Sequence, residues 1–141
     1  MLLSDSAATI LLCTDEPGLR LLLRLAIESH GHRVIEAGDG DAGISLFQST
    51  DPDLAIVDLR LPGRPGANVV RAMRDLPQPS RAPILVAMGG TSASDRMLAE
   101  DAGADAFICR PFSVTLLVAE IERLLPGYEP ESAALPLHRL I

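Results

Sequence analysis

The chain has 141 residues, with 12 basic and 19 acidic side chains and a formal charge of −7; every basic residue is arginine and lysine is missing altogether. This acidic balance argues against a nucleic-acid-binding surface on this chain, which normally shows as a basic patch, and against an anionic membrane surface. A content of 48% apolar and 22% charged residues argues against disorder, and the length is that of one domain with a core of its own.

Residues 1–8 read as an N-terminal extension without the basic segment of a secretory signal. Thr9 to Thr14 is an apolar run with a β-branched start, the first strand. Asp15 is expected to cap the following helix, with Pro17 in its first turn. Leu22, Leu23, Ala26 and Ile27 recur there at helical spacing, and Gly31 ends the element. Arg33 to Ala37 reads as a second strand, and Gly40 to Gln48 as a second helix weakened by Gly43. Leu54 to Val57 is the third strand, followed by Asp58 and a Pro/Gly-rich loop from Leu61 to Gly66. Asn68 to Leu76 is the third helix, with Val69, Val70 and Met73 on one side. Pro83 to Ala87 is the fourth strand, then Gly89-Gly90, then a polar fourth helix from Ser94 to Ala102 stopped by Gly103. Ala106 to Cys109 is the fifth strand. Ser113 to Leu125 is the last helix, with Leu116, Leu117, Ile121, Leu124 and Leu125 as its stripe. Residues 126–141 have no sustained period and read as a tail or the start of a linker, with Leu140 and Ile141 expected to fray. No apolar run approaches the ~18 residues of a membrane span.

Strand and helix alternate five times. The strands are apolar throughout, as in a parallel sheet covered on both faces. A doubly wound α/β sheet is therefore expected, with one domain over residues 9–125. Ligands of such sheets bind outside the carboxyl ends of the strands. Thr14, Asp15 and Glu16 fall there after the first strand, and Asp58, Leu59 and Arg60 after the third. Met88, Gly89 and Gly90 follow the fourth, Arg110 and Pro111 the fifth. An unpaired acid ending a buried strand is costly. A hard cation such as Mg²⁺ relieves the repulsion between Asp15 and Asp58, and an aspartate beside it can form an aspartyl phosphate.

The stretches 10–17 (ILLCTDEP), 53–63 (DLAIVDLRLPG), 83–86 (PILV) and 103–112 (GADAFICRPF), in this order, resemble the receiver domain of two-component response regulators over roughly residues 9–125. The resemblance implies a five-stranded parallel sheet in the order 2-1-3-4-5, of the flavodoxin-like kind. It implies Asp58 as phosphoacceptor, with Asp15, Asp58 and the carbonyl of Arg60 as Mg²⁺ ligands. It places Arg110-Pro111 at a cis Lys-Pro position and Phe107 at an aromatic switch position. The implied partners are a histidine kinase or phosphotransfer protein, and a homodimer through the face of the fourth helix, fifth strand and fifth helix. Polar residues on that helix predict a salt-sensitive dimer.

The chain departs from the pattern at Thr14 (usually a first acid), Met88 (usually Thr or Ser), Arg110 (usually Lys) and Pro65 (usually an acid). Thr14 weakens the cation site. Met88 cannot donate to a phosphoryl oxygen, a role then left to Thr91 or Ser92. Arg110 has a planar fork that can pair bidentately with Asp58 itself.

The expected function is a signalling domain rather than an enzyme, with slow self-phosphorylation and dephosphorylation at most. The alternative is a phosphorylation-independent interaction module on the same fold. Phosphatases of the haloacid-dehalogenase type need a second acid where Arg60 stands, and a flavin carrier needs a hydroxyl-rich loop where Asp15-Glu16-Pro17 stands. His30 and His32 are expected as solvated turn residues. In the implied strand order Cys13 and Cys109 lie ~14 Å apart, too far for a disulfide, and the expected compartment is a reducing cytoplasm.

Overall fold

The computed structural model describes residues 7–77, 81–90 and 92–125. The expected tail over residues 126–141 and Thr91 lie outside them. Five strands form one parallel sheet: β1 (Thr9–Cys13), β2 (Arg33–Ala37), β3 (Leu54–Asp58), β4 (Ile84–Met88) and β5 (Ala106–Cys109). Their order is β2-β1-β3-β4-β5, as the resemblance implies. The helices are α1 (Pro17–Glu28), α2 (Gly40–Thr50), α3 (Gly66–Arg74), α4 (Ala93–Ala102) and α5 (Val114–Leu124). No helix among the described residues is long and apolar enough to cross a membrane.

Strand periodicity divides the core into two layers. Leu11, Cys13, Ala55, Val57, Ile84, Val86 and Met88 meet Phe47, Val69, Val70, Met73, Ala99 and Ala102 from α2, α3 and α4. Ile10, Leu12, Leu54, Ile56 and Leu85 meet Leu19, Leu23 and Ile27 of α1 and Leu117 and Ile121 of α5. Both faces are covered, so the central strands β1, β3 and β4 are apolar at every position except Thr9 and Asp58 at strand ends.

Local chemistry sets most helix ends. Asp39 caps α2 by accepting from Ala42 N–H at 2.9 Å, and Ser92 and Ser113 cap α4 and α5 in the same way. Gly103, at φ +114°, closes α4 in the left-handed conformation. Gly43 admits β1 against α2, since a Cβ there would sit 2.6 Å from Cys13 Sγ.

Several expectations are corrected. The residue capping α1 is Glu16, not Asp15, and its side chain makes no capping bond. Leu22 and Leu116 are not in the core but are 45% and 55% exposed. His32 is not a solvated turn residue: it is buried, and its Nδ1 accepts from Ala8 N–H at 3.0 Å. The expectation for the cysteines holds: both are free, on strands separated by β3 and β4.

Candidate functional site

Register brings Thr14 and Asp58 together. β1 and β3 are adjacent, with Cys13 opposite Val57. One place beyond that pair stand Thr14, the first residue after β1, and Asp58, the last residue of β3. Thr14 Oγ1 donates to Asp58 Oδ2 at 2.9 Å. Asp58 Oδ1 accepts from Arg60 N–H at 3.0 Å. Asp58 is buried, yet among the described residues no arginine or histidine nitrogen lies within ion-pair distance of it.

Thr14 is fixed at every polar atom. Its N–H donates to Ala37 O at 3.1 Å. Its carbonyl accepts from Arg20 Nη2 at 2.9 Å, and its hydroxyl oxygen also accepts from Glu16 N–H at 3.2 Å. The loop after Asp58 is fixed by close approach: Gly66 N–H donates to Leu59 O at 2.9 Å, and a Cβ on Gly66 would lie 2.4 Å from the Asp58 carbonyl oxygen.

Asp58 opens onto a cleft lined by Asp15, Glu16, Pro17, Arg60, Gly89 and Arg110. The structure thus brings Asp15, Asp58, Arg60 and Arg110 to one edge, as the sequence predicts. Met88 is not there. It is 2% exposed and packs in the α2–α4 layer; its backbone oxygen accepts from Arg110 N–H at 3.1 Å. Phe107 is half-buried on β5, with the Arg96 guanidinium 5.1 Å above its ring. Ser92, one substitute considered for the missing hydroxyl, is committed to capping α4.

The Arg110–Pro111 peptide bond is cis, as the resemblance implies. The expected pairing of Arg110 with Asp58 is not observed. Its guanidinium grips Glu16 instead, Nη1 to Oε2 at 3.2 Å and Nη2 to Oε1, and lies 5.7 Å over the Phe112 ring. That hydrogen-bonded guanidinium holds the Glu16 carboxyl below its ordinary range, and Glu16 in turn raises Arg110. Glu16 is the residue whose role the sequence reading missed; its only signal was its place beside Asp15. Beneath the site, burial first, then the charges of Asp39 and Asp58, push the Cys13 thiol up to about 12.

No group of three or more His, Cys, Asp and Glu side chains among the described residues is arranged to hold a metal. Three carboxylates line the cleft together with Arg60: Asp15, Asp58 and Glu16, the last engaged by Arg110. A buried carboxylate without a cation, beside a second carboxylate, suits a hard divalent ion.

The comparisons with known proteins agree with this geometry. The model of the response regulator receiver domain matches residues 10–122. The KDP operon transcriptional regulatory protein KdpE of Escherichia coli is 36% identical over 128 residues, 91% of this chain and 56% of its own length. This chain spans about half the length of the curated relatives it matches. A putative response regulator from Chloroflexus aurantiacus superposes with a TM-score of 0.80 at 25% identity, over 84% of this chain and 97% of that one. The receiver domain of a sensor histidine kinase from Pseudomonas aeruginosa, whose structure has a magnesium ion coordinated in the active-site cleft, superposes with a TM-score of 0.78 at 25% identity over the same shares. With the sheet order, the acid ending β3 and the match over residues 10–122 all in agreement, the chain belongs to the response regulator receiver domain family of two-component systems.

Proposed function

We propose that this domain takes a phosphoryl group on Asp58 from a histidine kinase or phosphotransfer protein, and that it does so slowly. One observation carries the reading: a buried carboxylate ends β3, oriented by the Thr14 hydroxyl and the Arg60 N–H, with no ion pair among the described residues. In the transfer, an Asp58 oxygen forms a bond to phosphorus while the donor histidine's P–N bond breaks, its electron pair stays on that nitrogen, and the imidazole leaves as a neutral ring with the proton on its other nitrogen. Asp15, Asp58 and the Arg60 carbonyl would hold Mg²⁺, which supplies positive charge against the phosphoryl oxygens. Thr14 contributes a hydroxyl where a further carboxylate would strengthen that hold. The test is incubation with phosphoramidate and Mg²⁺, read by intact mass. A gain of one phosphoryl group by the natural chain and none by Asp58→Asn is expected; equal gain by both removes the reading.

The slow character rests on Met88, whose thioether is packed in the core and is no donor. This residue also favours the second reading, an interaction module that works without phosphate. A homodimer would use α4, β5 and α5. Met97, Leu98, Val114 and Leu116 are exposed on those helices beside the polar residues. Gel filtration at two salt concentrations, with and without phosphoramidate, separates the readings: a phosphate-dependent shift in size favours the switch, and an unchanged one the module.

A further inference from the structure

Arg110 and Glu16 are 94 residues apart in sequence and joined by two hydrogen bonds across the mouth of the cleft that holds Asp58. Each is anchored to the site by its backbone. Glu16 N–H donates to the Thr14 hydroxyl oxygen, and that hydroxyl donates to Asp58. Arg110 N–H donates to the carbonyl of Met88, the last residue of β4. The Arg110 guanidinium, in the same cleft as Asp58, is therefore already occupied by a competing carboxylate.

We propose that Glu16 is a gate on Asp58: it holds Arg110 away from the phosphoacceptor until a phosphoryl group competes for the guanidinium, and so limits how fast Asp58 is modified. The inference rests on the reading of Asp58 as phosphoacceptor and adds a residue to which nothing in the resemblance assigns a role.

The chemistry of the pair supports this. Glu16 offers one negative charge, whereas a phosphoryl group offers up to two and three acceptor oxygens. A guanidinium fork fits a carboxylate and a phosphoryl group equally well, two bonds to each. Such a fork can exchange one partner for the other, while a lysine's point charge gains no bidentate match from either. The pair is also weak enough to open: the side chains are 37% and 48% exposed, and solvent screens such pairs. Glu16 acts through Arg110, so it is a positioning residue and not a catalytic one.

The experiment is a phosphoramidate time course with Mg²⁺, read by intact mass. It compares the natural chain with Glu16→Gln, Arg110→Gln and the double variant, with Asp58→Asn as control; thermal unfolding shows that each is folded. Glu16→Gln should speed the gain of mass about two- to fivefold, the range that an exposed ion pair spans, and this gain should vanish in the Arg110→Gln background. A natural chain that gains no mass while Glu16→Gln does, with Arg110 intact, also supports the gate. An unchanged rate in Glu16→Gln overturns it, as does equal acceleration with and without Arg110, which marks bare charge repulsion; Asp58 then stands as phosphoacceptor if Asp58→Asn stays unmodified. If neither the natural chain nor any variant gains mass, both the gate and the reading beneath it fall.

Discussion

The Thr14 hydroxyl donates to Asp58 Oδ2 at 2.9 Å, between two buried side chains at the ends of adjacent strands. Where the family pattern has a carboxylate facing a carboxylate, this chain has a donor facing an acceptor. The hydroxyl thus gives Asp58 a hydrogen-bond donor in place of one further oxygen ligand for a cation.

Thr14→Asp should reverse that balance. Two carboxylates then share the space of one hydrogen bond, and without metal the variant should lose about 1–3 kcal/mol, the range for a buried polar group stripped of its partner. Mg²⁺ should restore more of that loss than it adds to the natural chain. Thermal unfolding with chelator and with Mg²⁺ measures both; an equal Mg²⁺ gain in the two proteins contradicts the assignment of this edge as the cation site.

Gly66→Ala should disturb the same site from behind. Its Cβ would meet the Asp58 carbonyl oxygen at 2.4 Å and Leu59 Cα at 2.6 Å, both backbone atoms that cannot swing aside. A cost of about 1–3 kcal/mol is expected, as for other overpacked sites. Gly89→Ala is the control, because nothing lies within 4 Å of its Cβ; it should stay within about 0.5 kcal/mol of the natural chain. Urea denaturation of the two variants gives the difference directly.

The Cys13 thiol should be inert in the folded protein. Its titration is pushed up to about 12, so at pH 8 it carries no thiolate to attack a reagent. The unfolded thiol ionises near its ordinary 9.0. Between those values the unfolded state holds fewer protons, so stability falls as pH rises through that window. Labelling with a disulfide reagent, in a Cys109→Ser background, should proceed only in denaturant; fast native labelling at pH 8 contradicts this.

Much of this was legible in the residues, because two periods carry it. The apolar runs at 10–13, 54–57 and 84–87, alternating with helical periods, fit strands covered on both sides, and every helix and strand stands within two residues of its expected ends. The acids and the arginine at the strand ends follow from topology alone, so Asp15, Asp58, Arg60 and Arg110 share an edge as expected. Partner choice did not follow. Asp58 and Glu16 both offer a carboxylate to Arg110, and the winner depends on where two loops far apart in sequence come to rest. Thr14 was read as a lost acid, whereas the register of β1 on β3 makes it a gained donor. His32 lies in a turn by sequence but is buried, with its ring on the Ala8 N–H and 3.5 Å from the Glu122 carboxylate, neither of which local sequence reveals.

Met88 decides how easily an ordinary site could be rebuilt. Strand alternation turns its side chain into the α2–α4 layer, together with Val86, Ala99 and Ala102 and against Phe107 and Cys109. Met88→Thr places a hydroxyl at the position that the family pattern reserves for one, but it also empties part of a packed core. Buried methionine-to-alanine changes cost about 2–5 kcal/mol, and threonine refills some of that volume while burying a polar group. A loss of about 2–3 kcal/mol is therefore expected in urea denaturation. If the new hydroxyl reaches a phosphorylated Asp58, the variant should hold its phosphoryl mass longer than the natural chain despite being less stable. If the hydroxyl is absorbed into the core, phosphoryl lifetime should be unchanged and only stability should fall. A stability loss below about 0.5 kcal/mol, the size of a typical surface change, contradicts the packing of Met88 described above.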